Sequence, residues 1–227
     1  NHDQTVEYNT IKNCFNVDGN HDDGIQVFKT NVSQGLIRNM VLRGNLIINT
    51  EDPAQPLQGT LQGIGMFEGP HENFRVENNL VITDHWHGIT LYWGIDSTII
   101  NNTVVNPKWI DGTSSLRTWI SIEGAKSAYG GADSENCRIA NNIAHAYRTG
   151  GNTNLTFENN ITVTGSNWYD VFLDPDNWNF RLADGSPAID AGSPTDAPEL
   201  DIDGNARPAG AGYDVGCYET DALPGPP

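Results

Sequence analysis

Two short stretches of the sequence combine side chains that can do chemistry. The first is His21-Asp22-Asp23-Gly24, in which two adjacent carboxylates stand just before a predicted strand. Such a pair can bind a hard cation, here Ca²⁺, or orient a catalytic base, and Glu68 is the further carboxylate that we assign to this metal site. Because Asp is also a common turn residue, the alternative is that the stretch only forms the turn that enters the strand.

The second stretch is Asp84-His85-Trp86-His87. His85 and His87 are two residues apart, so they share one face if the segment is a strand. The two imidazoles could act as base and acid, line a substrate groove, or bind a transition metal. A metal site needs a third ligand, and Glu68 and His71 are the candidates for it.

The residues around these stretches predict short strands with alternating side chains. Four segments match column by column: Gly24-Ile25-Gln26-Val27-Phe28, Gly63-Ile64-Gly65-Met66-Phe67, Gly88-Ile89-Thr90-Leu91-Tyr92 and Trp119-Ile120-Ser121-Ile122-Glu123. The period of two predicts that the Ile column and the next apolar column point inward. The opposite face then carries Gln26, Gly65, Thr90 and Ser121, followed by Phe28, Phe67, Tyr92 and Glu123.

A second phrase recurs between these strands, in which an Asn stands between apolar residues. The anchoring residues are Asn9, Asn45, Asn79, Asn102, Asn142 and Asn160. Recurrence at such distances, without helical periodicity, predicts a coil of short strands in which each turn stacks on the previous one. Asn at an equivalent bend of every coil can bond the backbone of the turn and the next Asn in the stack.

The Asn-Asn-x-Ile/Val and Gly-Ile-x-Leu/Val phrases resemble those of right-handed parallel β-helix proteins. That group contains pectate and alginate lyases and mannuronan C5-epimerases. The resemblance covers residues 1–175 and implies an all-β fold, a single right-handed parallel β-helix with irregular loops. The same scaffold also hosts hydrolases and phage tailspikes, so it does not specify one activity. The chain begins almost inside a coil, which implies either an unusually short protein or a piece of a longer one.

The C-terminal region carries a related signal. Ser186-Pro187-Ala188-Ile189-Asp190-Ala191-Gly192, Asp201-Ile202-Asp203-Gly204 and Asp214-Val215-Gly216-Cys217-Tyr218-Glu219 resemble the last segment of many secreted bacterial β-helix proteins. We expect residues 176–220 to cap the last coil, because a solenoid needs its end covered, and residues 221–227 to be a tail or linker. The resemblance implies a secreted or periplasmic protein.

The resemblance also implies a polysaccharide in a groove along the outward strand face. Lyases of this scaffold carry Asp-Asp-Gly in a calcium site, and the epimerases carry a pairing similar to His2-Asp3-Gln4-Thr5 with Asp23-Gly24. Both enzymes remove the C5 proton of a uronate once a cation neutralises its carboxylate. The candidate catalytic residues are His85, His87, Tyr92, Asp23 and Lys126. The candidate substrate-binding residues are Phe28, Phe67, Trp93, Gln26, Glu123 and His71. The candidate Ca²⁺ ligands are Asp22, Asp23 and Glu68.

The net charge of the chain limits the classes of molecule that it can bind. The net charge of −17 argues against nucleic acid and against anionic membrane surfaces, and no segment is apolar and long enough to predict membrane insertion. It also makes a polyanionic substrate awkward without a neutralising cation. A lyase is our first expectation and an epimerase the next. The alternatives are a glycoside hydrolase with paired carboxylates and a non-catalytic glycan-binding module; the oligomeric state stays open.

Overall fold

The computed structural model describes residues 2–18, 22–29 and 35–220, so His21 and the predicted tail at 221–227 lie outside the described residues. Within these ranges the chain is mostly β-structure with short helices α1 (Pro107–Ile110) and α2 (Trp168–Val171). The strands are β1 (His2–Glu7), β2 (Thr10–Lys12), β3 (Asp22–Val27), β4 (Ile37–Arg43), β5 (Leu46–Ile48), β6 (Leu61–Met66), β7 (His71–Glu72), β8 (Arg75–Glu77), β9 (Leu80–Ile82), β10 (His87–Tyr92), β11 (Gly94–Ile95), β12 (Thr98–Ile100), β13 (Thr103–Val105), β14 (Trp119–Glu123), β15 (Ser134–Glu135), β16 (Arg138–Ala140), β17 (Ile143–Ala144), β18 (Ala146–Arg148), β19 (Asn152–Thr153), β20 (Thr156–Glu158), β21 (Ile161–Thr162), β22 (Phe172–Asp174) and β23 (Asn179–Leu182).

These strands form three parallel sheets. Sheet A has ten strands in the order β19-β15-β11-β7-β4-β8-β12-β16-β20, with β1 paired to β4. Sheet B has the six strands β2-β5-β9-β13-β17-β21, and sheet C has the five strands β18-β14-β10-β6-β3. Neighbours in each sheet come from successive passes of the chain, an arrangement compatible with a β-helix-like solenoid. β22 and β23 form a separate antiparallel pair.

The register of sheet C confirms the predicted columns. Ile64 pairs with Ile25 on one side and with Ile89 on the other, and Ile89 pairs with Ile120. The next inward column aligns in the same way, from Val27 through Met66 and Leu91 to Ile122. From the second strand onward both columns are fully buried, so period-two alternation correctly separated the core face from the outer face.

The predicted asparagines stack into a ladder. The backbone N–H and the side-chain amide of Asn45 both donate to Asn79 Oδ1, and those of Asn79 both donate to Asn102 Oδ1. The same pair of bonds links Asn9 to Asn45, Asn102 to Asn142 and Asn142 to Asn160. Each side chain therefore satisfies a turn of its own coil and a turn of the next one.

The residue before each ladder position has a separate role. Asn78, Asn101, Asn141 and Asn159 have φ between 49° and 54°, and Gly44 has φ 63°. This left-handed region favours Gly and Asn, which explains why the ladder residue is so often the second of two asparagines. At the first coil the equivalent residue is Tyr8, with φ 54°.

The C-terminal segment packs along the side of the coils. Trp168, Phe172 and Phe180 form a buried cluster with the sheet B side chains Val105 and Ile143. The sequence predicts that this segment covers the last coil. In the structure the segment is hydrogen-bonded to several coils, the last one among them, and Phe157 in the last strand of sheet A stays 48% exposed. The predicted boundaries of coil, cap and tail stay predictions.

The left-handed asparagines hold this segment. Their side-chain amides donate to its backbone carbonyls, at distances of 2.6–2.9 Å: Asn78 to Leu200, Asn101 to Asp214, Asn141 to Ser193 and Asn159 to Ala191. Arg207, within the segment, has its side chain fully buried, where it pairs with the fully buried Glu219 and bonds Asn78 of the coils.

Two histidines are buried in the neutral form. His71 Nδ1 donates to the Tyr92 carbonyl at 2.9 Å, and His145 Nδ1 donates to the Val163 carbonyl at 2.8 Å. The Asn106 N–H donates to His145 Nε2 at 2.8 Å. Burial lowers the pKa of each imidazole from 6.5 to about 4, because a charged ring would lose its hydration.

We expect His145→Gln to flatten the loss of stability in acid. Because the folded-state pKa is depressed, the unfolded chain takes up the proton first, so the stabilising contribution is complete above pH 6.5 and is lost as the pH falls towards 4. The slope is about 1.4 kcal/mol per pH unit for each histidine. Urea unfolding of both proteins between pH 8 and pH 4 measures it, and parallel curves for the variant and the parent would contradict this assignment.

Candidate active site

The outer face of sheet C is not the open groove floor that the sequence predicts. The predicted outward residues Gln26, Gly65, Thr90 and Ser121 do align in register, and Arg148 extends the row. Thr90 and Ser121 are nonetheless fully buried. The Phe67 ring lies over Gly65, where a side chain would contact it, and Phe67 is itself only 5% exposed. The rings of the next column therefore fold back over the strands.

A group of aromatic and basic side chains covers this face, and we call it the sheet C cluster: Phe67, His87, Tyr92, Trp119, Lys126 and Arg148. The Phe67 ring centroid lies 5.1 Å from that of His87 and 5.8 Å from that of Tyr92. Lys126 Nζ lies 5.0 Å from the Phe67 centroid and 5.2 Å from the Tyr92 centroid. The ammonium group is thus held against two ring faces, in a cation–π arrangement.

The tryptophans continue the cluster across the strands. The rings of Trp86 and Trp119 are parallel, with centroids 6.2 Å apart, and the His87 ring meets Trp119 edge-on at 5.2 Å. The Arg148 guanidinium lies 4.6 Å from the Trp119 centroid. Trp86, stacked beside the cluster, remains 46% exposed and presents aromatic surface to solvent there.

Hydrogen bonds orient the two predicted histidines. The His87 N–H donates to His85 Nδ1 at 3.1 Å, which leaves the proton of the neutral His85 ring on Nε2. His87 Nδ1 lies 2.9 Å from Thr90 Oγ1, and the Ser121 hydroxyl donates to the same Thr90 oxygen at 3.2 Å. Thr90 and Ser121, two residues of the predicted outward column, therefore form a hydrogen-bonded chain that orients the His87 ring.

The charges near the cluster are partly buried. Burial and the nearby Glu123 carboxylate raise the pKa of the Tyr92 hydroxyl. Glu123 pairs with Arg148 at 3.2 Å. Burial also raises the pKa of Glu68, against the opposing effect of Lys126, and Glu68 Oε2 is buried without a hydrogen-bond partner among the described residues.

Other predicted residues lie at the edge of the cluster or below it. His71 is fully buried, and its Nδ1 is engaged with the Tyr92 carbonyl, so it lies beneath the surface rather than on a substrate face. Gln26 is exposed on β3, an edge strand of the sheet, and Phe28, just after the end of β3, is 56% exposed. Trp93 follows Tyr92 in a left-handed conformation, with φ 52°.

The two adjacent carboxylates point to different surroundings. Asp22 is close enough to Cys14 to raise the pKa of that thiol, after the larger effect of burial. Asp23 Oδ1 lies above Gly65, within 2.9 Å of the point where a side chain would begin. Within residues 2–18, 22–29 and 35–220 no three His, Cys, Asp or Glu side chains form a group that could hold a metal ion. These side chains therefore do not fit a calcium site by themselves, and Ca²⁺ stays a prediction.

Sequence reasoning missed two members of the cluster. Trp119 aligns with His87, but the sequence analysis used only the residues that follow it in the strand. Arg148 ends β18, whose sequence Ala-Tyr-Arg lacks both the Gly-Ile phrase of β3, β6 and β10 and the Ile-Ser-Ile alternation of β14. A search for the next parallel neighbour of β14 would have reached it.

Comparison with known proteins does not assign the chain. No family model matches it, and no curated protein matches it. No helix among the described residues is both long and apolar enough to cross a membrane.

Proposed function

We propose that the three parallel sheets are the walls of one right-handed parallel β-helix. The support is the pairing itself, since each strand of sheets B and C pairs with the equivalent strand one pass further along the chain. Connections between parallel strands of one sheet are right-handed in about 98% of known cases. On this proposal sheet C is one outer wall, and its cluster faces a groove along the coil axis.

We propose that the sheet C cluster acts on a uronate-containing polysaccharide by β-elimination. The observation that carries the proposal is the position of Lys126, held against the rings of Phe67 and Tyr92, with the His87 ring in edge contact with Phe67. A cation beside a base is what C5 proton abstraction requires, because the carboxylate charge opposes formation of a carbanion next to it. The aromatic surface fits the apolar faces of sugar rings.

In the proposed step Lys126 neutralises the uronate carboxylate and Arg148 assists it. His87, with its own proton on Nδ1 and bonded to Thr90, accepts the C5 proton at Nε2. The electron pair of that bond forms the C4–C5 double bond, and the C4–O bond breaks. Tyr92 then protonates the departing oxygen, since a tyrosine is already in the phenol form at neutral pH and burial with the nearby Glu123 raises its pKa further. On this proposal His85 Nε2–H donates to a sugar hydroxyl and the Asp23 carboxylate accepts from one.

A glycoside hydrolase is the second candidate, and Glu68 favours it. A carboxyl group whose pKa is raised by burial suits a general acid, and Asp23 or Glu123 could then act as the second carboxylate. An epimerase would use the same proton abstraction as the lyase and return a proton from the opposite face.

A polymeric substrate also supports action outside the cytoplasm, so we propose a secreted or periplasmic protein.

One assay separates these activities. The protein is incubated with alginate and with polygalacturonate, with and without Ca²⁺, while the ultraviolet absorbance of unsaturated uronate is followed. A lyase gives this absorbance, an epimerase gives only C5 proton exchange in D₂O by NMR, and a hydrolase gives new reducing ends without unsaturation. Binding without any of the three leaves the glycan-binding module. Elimination that does not change with Ca²⁺ would contradict the predicted calcium dependence.

We expect Lys126→Met to lower kcat on the order of 10²-fold, as removal of one group that stabilises developing charge does elsewhere. The substitution keeps an apolar stem over Phe67 and Tyr92, so the rings stay packed. Lys108→Met is the matched control, because Lys108 pairs with Asp84 outside the cluster. Equal activity in both variants would exclude Lys126 from the step.

A further inference from the structure

The outer side of sheet B carries a second groove, separate from the sheet C cluster. It crosses β2, β5 and β9 and has a volume of about 410 Å³, within the usual range for ligand sites. Leu46 and Leu80 form part of its floor, Tyr8 and Trp178 stand in its walls, and Glu51 and Asp203 lie at its rim. We call it the sheet B groove.

Both wall aromatics occupy backbone positions that suit other residues. Tyr8 has φ 54° in a column whose other members are Gly44 and four asparagines. Trp178 has φ 63° at the C-terminal cap of a short 3-10 helix, a place where Gly or Asn is usual. A left-handed conformation is unfavourable for a bulky side chain, and such strain concentrates at functional sites.

Packing in the core does not explain the presence of aromatic rings at these two left-handed positions. Tyr8 is 58% exposed and Trp178 is 38% exposed, so each leaves much of its ring in solvent. Tyr8 lies against Gly44, where an added side-chain carbon would be 2.6 Å from its ring. The ring is thus seated at a fixed place beside the groove, although it covers little of the core.

The chemistry of the lining selects the ligand. Among the described residues that line the groove there is no Lys or Arg, and the two rim carboxylates are engaged with Lys12 and Arg181 outside it. Lys12 and Arg181 are already paired with these carboxylates, so the groove offers a polyanion no unpaired cation among the described residues that line it. Aromatic faces, with Asn9, Thr10 and carboxylate oxygens that bond hydroxyls, fit the rings of a neutral sugar chain.

We propose that the sheet B groove binds a neutral polysaccharide, with Tyr8 and Trp178 stacking on its sugar rings. The site does not depend on the proposed reaction at sheet C. It would hold the protein on a neutral glycan, whatever the sheet C cluster acts on.

The test measures affinity and stability together. Isothermal titration calorimetry uses soluble galactomannan, xyloglucan and arabinoxylan as neutral probes, and alginate and polygalacturonate as anionic ones. We expect the parent protein to bind at least one neutral polymer, and Tyr8→Asn and Trp178→Asn each to weaken that binding roughly tenfold or more, since a stacked ring contributes beyond its buried area. Tyr8→Asn is also expected to unfold at the same or a higher temperature.

Two controls isolate the groove. Leu57→Asn replaces another exposed residue at φ 56°, outside the groove, and is expected to keep the stability and the affinity. Lys126→Met is expected to keep the neutral-glycan affinity although it lowers the activity of the sheet C cluster. The proposal is overturned if no neutral polymer binds, if binding survives both aromatic substitutions, if only the anionic polymers bind, or if Tyr8→Asn unfolds at a lower temperature.

Discussion

Asn102→Ala is expected to reduce the free energy of unfolding by about 3–5 kcal/mol, because each buried polar group left without a partner costs about 1–3 kcal/mol. Asn102 Oδ1 accepts from the backbone N–H and the side-chain amide of Asn79, and its own amide donates to the Val76 carbonyl. All of these groups are buried, so water does not replace the lost bonds. Guanidinium unfolding followed by tryptophan fluorescence measures the loss.

Asn9→Ala is the matched control for the ladder. Asn9 is the first residue of the same ladder, but it is exposed, Asn45 Oδ1 keeps its bond from the Asn9 backbone N–H, and solvent can satisfy the Glu7 carbonyl. We expect a change below about 1 kcal/mol there. Equal losses at Asn9 and Asn102 would show that the ladder contributes through turn conformation rather than through buried hydrogen bonds.

Arg207→Met is expected to destabilise the protein by about 3–5 kcal/mol, since it leaves one buried charge unpaired. Arg207 bonds Glu219, the Gly216 carbonyl and Asn78 Oδ1, and both side chains of the ion pair are fully buried. Burial already raises the pKa of Glu219, and loss of the guanidinium raises it further. A carboxyl group with a raised folded-state pKa is stabilised in acid, so the variant should recover stability as the pH falls.

The control and the rescue separate charge from packing. Arg181→Met breaks the exposed pair with Asp203 and is expected to cost below about 1 kcal/mol. The double variant Arg207→Met, Glu219→Gln removes both charges and should regain part of the loss. Limited proteolysis of the C-terminal segment reports whether it detaches locally. An Arg207→Met protein as stable as the Arg181→Met protein would contradict the assignment.

The coil pattern was predictable because its signals are local. Period-two alternation placed Ile64, Ile89 and Ile120 in one buried column, and the recurring phrase placed Asn79 on Asn102. Each of these two patterns can be recognised within a short stretch of sequence, a few residues long, in each turn of the coil. The sequence did not predict that the two asparagines of each pair have different roles. The first has a left-handed φ, which is a backbone property that the residue type alone does not reveal.

The candidate site was predictable in part. His87, Tyr92, Phe67 and Lys126 do meet, because the register brings equivalent strand ends together. Adjacent Asp22 and Asp23 were assigned to one metal site, yet alternating directions along a strand separate neighbouring side chains.

The path of the C-terminal segment could not be deduced, since it depends on contacts more than a hundred residues apart in the chain, such as the bond from Asn78 to the Leu200 carbonyl. The position of the C-terminal segment has a consequence for how the protein unfolds. A stack whose turns touch only their neighbours can fray from either end, one turn at a time. Here the C-terminal segment is hydrogen-bonded to four turns, so unfolding any one of these turns disturbs the other three. Melting should then be a single cooperative event rather than progressive unzipping.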